Sequence, residues 1–100
     1  MNEYELLKQD IELSNREYEK IIAGSAIRTR QMLEHHGEVK ALSLLMESGD
    51  IQTGFRRLIQ ANKSQFTFEA IVIRHEELFR NDVVEAAKFR LENAENLGVG

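Results

Sequence analysis

The sequence predicts an all-α fold: a compact bundle of about five or six short helices, opened by an amphipathic N-terminal helix. Three observations lead there. Proline is absent from the 100 residues, where about 5% is usual, and Val, Ile and Thr are scattered among good helix formers. Apolar residues recur at three-and-four spacing in Ile51, Phe55, Leu58 and Ile59, and again in Phe68, Ile71, Val72, Leu78 and Phe79. No comparable stretch alternates as a strand does; Phe66 to Ile73 has β-favouring residues, but Glu69 and Ala70 interrupt them.

The first element covers residues 1–23. Tyr4, Leu7, Ile11, Tyr18 and Ile21 fall on a four-and-three pattern broken at Ser14, flanked by charged residues, and Leu6, Leu13 and Ile22 widen the stripe. Gly24-Ser25 offers a break, so this helix either ends there or continues bent to His36. A compact helical domain over 24–97 and a short tail, 98–100, complete the expected organisation.

Punctuation within that domain comes from glycine, which tolerates the left-handed conformations that end helices, and from short polar side chains that cap their starts. Gly37 and Gly49 read as stops, Asp50 and Thr67 as N-caps, and Asp82 with Glu85 as a capping box. The helices are therefore expected at about 26–36, 38–48, 51–62, 68–79 and 83–96. Their core is expected to hold Leu33, Leu42, Leu45, Phe55, Leu58, Ile59, Phe68, Ile71, Val72, Leu78, Phe79, Val84, Ala87 and Leu91.

Composition narrows the function. A chain of this length is one domain at most. It has no apolar run near the roughly 20 residues that cross a bilayer, and its first residues lack a signal peptide's basic flank and apolar core. With no cysteine, disulfides and thiolate metal sites are excluded, and a cytoplasmic location is the expectation. No phosphate loop, nucleophile elbow or His-Glu-x-x-His motif is present, so neither enzymatic activity nor a cofactor is expected. Adjacent His35 and His36 point to different faces of a helix and suit a helix C-terminus better than a metal site. His75, on an apolar stripe, reads as a hydrogen-bonded histidine at the edge of the core.

Charge is unevenly spread. Residues 1–23 carry a net −3, residues 24–66 a net +2 and residues 67–100 a net −3, so only the middle favours an anionic partner. There, Ala41 to Ile59 resembles a helix-turn-helix in outline, although Leu45 stands where a small residue is usual. Gln52, Thr53, Arg56, Arg57, Gln60 and Lys63 are the residues expected to reach nucleic acid, with Arg28, Arg30 and Lys40 beside them. An overall pI of about 5.4 argues against this reading.

The leading expectation is a non-enzymatic interaction module that binds a protein partner or a second copy of itself. An isolated helix of about 20 residues is marginal in water, so its stripe must be covered. Either the rest of the chain or another copy covers it. The modest core of so small a domain tilts the reading toward a second copy, with Tyr4, Leu7, Ile11, Tyr18 and Ile21 as the interface.

Overall fold

The structure, a computed structural model, describes residues 1–48 and 53–94; the expected features at Gly49, Asp50, Ile51, Gln52, Asn96 and Gly98 lie outside the described residues. Its described residues form six α-helices and two short 3-10 turns, without a strand. Helix α1 spans Glu3–Ile22, α2 Ile27–His36, α3 Glu38–Glu47, α4 Thr53–Gln60, α5 Phe68–Arg74 and α6 Asn81–Glu92. The Cα radius of gyration is 12.5 Å, close to the ~13 Å of a compact 100-residue domain. No helix among the described residues is long and apolar enough to cross a membrane.

Local chemistry accounts for most boundaries. The Asn2 side chain accepts the Glu5 amide at 2.9 Å and starts α1. Glu3 and Glu5 in the first turn and Lys20 in the last match the helix dipole. The helix ends at Ala23, whose backbone is left-handed (φ 53°), with the Gly24 amide bonded back to the Glu19 carbonyl at 3.2 Å. Thus α1 stops rather than bending onward. Gly37 ends α2 and starts α3 in a single residue: its N–H donates to Leu33 and its C=O accepts from Ala41, at a φ of 82° that favours glycine. A Schellman pair closes α4, with Asn62 left-handed, its amide on Ile59, and the Lys63 amide on Leu58. Thr67 caps α5 as expected, its Oγ1 accepting the Ala70 amide at 3.1 Å.

Two boundaries depart from expectation. The helix expected over 68–79 ends at Arg74; His75 leaves helical geometry (φ −114°, ψ 36°) and a 3-10 turn, Glu76–Leu78, follows. Asp82 is no N-cap either. Arg80 holds that position, and Asp82 lies within the first turn of α6, where its carboxylate accepts from Arg80 Nε at 3.1 Å.

In the packing, α2 and α3 form a hairpin, α5 lies against α6, α3 against α6, and α1 crosses α4 and α5. The buried centre gathers Leu7 and Ile11 of α1 with Leu33, Leu42, Met46, Ile71, Val72, Val83 and Ala87. Of the expected core, Leu45, Ile59, Phe68, Leu78 and Leu91 are only half-buried. Leu7 and Ile11 belong to this chain's own core, which corrects the expectation that they face another copy.

Two acidic rails at seven-residue spacing hold α1 in place. Glu3 and Asp10 face His75, and Asp10 also lies 3.5 Å from Arg74. Glu17 continues this rail and pairs with Lys63 at 2.6 Å. On the other flank, Glu12 and Glu19 receive the Arg30 guanidinium at 2.7 and 2.8 Å. The net negative charge of α1 is thus largely answered by cations of the same chain.

Candidate functional site

The break at Ser14 in the apolar pattern of α1 marks a cleft. Below Leu7 and Ile11, the inward face of α1 carries Ser14, Asn15 and Tyr18 instead of aliphatic residues. These side chains line a cavity of about 300 Å³ with Arg28 and Thr29 of α2, Leu45 and Met46 of α3, Thr53, Gly54, Phe55 and Leu58 of α4, and Phe68 and Glu69 at the start of α5. Ser14 and Asn15 are each only 3% exposed, yet among the described residues neither side chain takes a hydrogen bond from, or gives one to, the protein. Gly54 of α4 faces Tyr18, whose ring a Cβ there would meet in ordinary contact at 3.9 Å.

Charge in the cleft has two parts. Deep in the protein, Glu69 is almost fully enclosed, and desolvation pushes its carboxyl above the usual carboxylate range. Arg90 answers it at 3.2 Å and also donates to the carbonyls of Met46 and Ser48 at the end of α3, where the helix dipole is negative. On the α2 side, Arg28 is exposed and takes no carboxylate partner among the described residues. It occupies the first turn of a helix that has no acidic residue there and no side-chain cap. Glu19 accepts the Ala26 amide at 2.7 Å. The hydroxyls, amide and guanidinium around the cleft are hydrogen-bonding groups set against an apolar wall.

The residues expected at an oligomer interface separate. Tyr4 is exposed and donates to the Glu38 carboxylate, which raises its phenol pKa; Tyr18 lines the cleft and Ile21 is half-buried. Sequence reasoning placed Leu6 and Leu13 only at the margin of the stripe. They are 42% and 48% exposed and, seven residues apart, share the outward face of α1.

The expected nucleic-acid residues also divide. Thr53, Arg56, Arg57 and Gln60 are exposed on α4; Gln52 lies outside the described residues. Lys63 is engaged by Glu17 and Arg30 by Glu12 and Glu19. Helix α4 rests chiefly on α1 and on the 3-10 turn Ser64–Phe66, whereas a helix-turn-helix packs its second helix on its first. The imidazole expected at the core edge is His75, with a carboxylate at each ring nitrogen.

Compared with protein-family models, with curated proteins and with solved structures, the chain finds no match in any of the three.

Proposed function

We propose that the chain is a non-enzymatic helical interaction module that pairs with a second copy of itself through the outward face of α1. The observation that carries this reading is the exposure of Leu6 and Leu13, which lie about 10 Å apart along the helix axis. An antiparallel pairing of two α1 helices sets Leu6 of one copy beside Leu13 of the other. The same arrangement brings the acidic N-terminal turn, with Glu3 and Glu5, toward Arg16 and Lys20 of the second copy. The face is therefore complementary to itself, as a two-fold interface requires. Two leucines per copy make a small contact, so weak, concentration-dependent association is expected.

Sedimentation velocity over a concentration series tests this. The native chain should gain mass with concentration, and the double variant Leu6→Glu, Leu13→Glu should stay monomeric with an unchanged helical spectrum. A native chain that remains monomeric to millimolar concentration overturns the reading.

One observation favours a second reading. Arg56 and Arg57 are exposed on α4 and take no carboxylate partner among the described residues, leaving them available to phosphate. A salt-sensitive rise in DNA fluorescence anisotropy, lost in Arg56→Ala, Arg57→Ala, would support that alternative.

A further inference from the structure

The cleft between α1 and α4 is unlike the rest of the core in three respects. First, two polar side chains stand on the buried face of α1 where its pattern calls for aliphatic ones. Asn15 and Ser14 are 97% enclosed as residues and spend no hydrogen bond on the protein among the described residues, while no fully buried side-chain polar atom there lacks a partner, so their polar atoms keep access to the open space beside them. Their polar groups are unspent at the cavity wall. Second, the opposing walls are apolar, formed by Met46, Phe55, Leu58 and Phe68. The volume of about 300 Å³ falls at the lower end of ligand pockets, about 300–1,000 Å³, and suits a molecule of one or two rings.

Third, the rim carries one cation, Arg28, that has no carboxylate partner among the described residues. Arg16, Lys20, Arg30, Lys63, Arg74, Arg80, Lys88 and Arg90 lie within 4 Å of a carboxylate; Lys8, Arg28, Lys40, Arg56 and Arg57 do not among the described residues, and of these five Arg28 alone lines the cleft. It sits in the first turn of α2, which has no acidic residue of its own; the Glu19 carboxylate reaches that end through the Ala26 amide and Arg30 and leaves Arg28 to the cleft side. That end keeps the amides of Ile27, Arg28 and Thr29 open within the described residues. An anion there would be favoured by the guanidinium and the helix terminus together. Glu69 also lines the cleft, but Arg90 offsets its charge.

We propose that this cleft is a binding site for a small aromatic carboxylate. The carboxylate lies against Arg28 at the start of α2, the ring system fills the space between Phe55, Leu58 and Met46, and a polar substituent meets the Asn15 amide. The site uses the inward face of α1 and is independent of the outward face assigned above to self-association.

The test is a two-dimensional amide NMR titration of the full chain with 2-naphthoate and, in parallel, with the uncharged 2-naphthalenemethanol. Saturable shifts are expected at the backbone amides of Arg28, Thr29 and Gly54 and at the Asn15 side-chain amide, with the acid binding about fivefold more tightly than the alcohol, the ratio that one exposed charge contact of ~1 kcal/mol supplies. Arg28→Gln should bring the acid down to the level of the alcohol. Gly54→Leu, which fills the α4 wall, should abolish both. The same shifts should persist in Leu6→Glu, Leu13→Glu, so that failure of the dimer leaves this result intact. Absence of saturable shifts at millimolar ligand, equal binding of acid and alcohol, or an unchanged affinity in Arg28→Gln overturns the proposal. Because Arg28 is exposed, its variant reads binding without perturbing the core.

Discussion

His75 on the edge of α5 holds its Nε2 2.7 Å from Oδ2 of Asp10, across a sequence gap of 65 residues. Its Nδ1 stands 3.1 Å from Glu3 of α1, so a single ring bridges two positions about two turns apart on that helix. Each ring nitrogen therefore stands within hydrogen-bond distance of a carboxylate on α1. The ring side chain is only 7% exposed, so its contribution is little diluted by water. His75→Gln should cost about 2 kcal/mol, the range for a hydrogen bond to a charged group. Hydrogen exchange should then accelerate in the first half of α1 while α6 stays protected; equal acceleration throughout would show that the histidine does not specifically anchor α1.

The enclosed pair of Glu69 and Arg90 should be strongly non-additive. Arg90→Met leaves a buried carboxyl unanswered and removes the guanidinium from the carbonyls of Met46 and Ser48, a loss of about 3–5 kcal/mol in urea unfolding. Adding Glu69→Leu to that variant should restore part of the stability. Burial already pushes Glu69 upward, so in Arg90→Met its folded-state value is above the unfolded one. Relative to the native chain, the variant should therefore be least destabilised in acid and lose further ground as pH rises through the raised value.

Acid should loosen the turn between α1 and α2. Arg30 and the Ala26 amide hold the Glu19 carboxyl at about 2, against a usual 4.5. Lys20 and Lys63 do the same for Glu17, also to about 2. A depressed carboxyl stabilises the folded state above its unfolded value, and this is lost as pH falls from about 4.5 toward 2. Thermal midpoints by circular dichroism should drop through that window, and less steeply in Glu19→Gln.

Two loop substitutions should move stability in opposite directions. Ala23 is left-handed without being glycine, so Ala23→Gly should stabilise by about 1 kcal/mol. Gly37, at φ 82° and ψ 164°, occupies a region that is nearly exclusive to glycine. Gly37→Ala meets no atom within 4 Å but should still cost about 1–3 kcal/mol through backbone strain. Chemical denaturation of both variants checks the signs.

Much of the fold was legible because it depends on neighbours in sequence. The three-and-four spacing locates α1, α4 and α5; Gly37 and Thr67 act through their own backbones or the next turn; and Phe55, Leu58, Ile71 and Val72 are buried on the faces their spacing marks. The divided helix at His75 was not legible, because its partners Glu3 and Asp10 come from the far end of the chain. Nor was the cleft, although Ser14 marked it as an irregularity. One interrupted position reads equally as a solvated residue until another helix is seen to pass over it.

By itself, then, the sequence determined the helical class, most helix limits and the amphipathic character of α1. Each follows from backbone preference and periodicity within a few turns. Tertiary structure alone decided that Leu7 and Ile11 complete the chain's own core, that the acidic flanks of α1 meet Arg30, Lys63 and His75, and that Ser14 and Asn15 face a cavity. Those outcomes depend on which surfaces meet across tens of residues, and burial and ion pairing are properties of both surfaces at once.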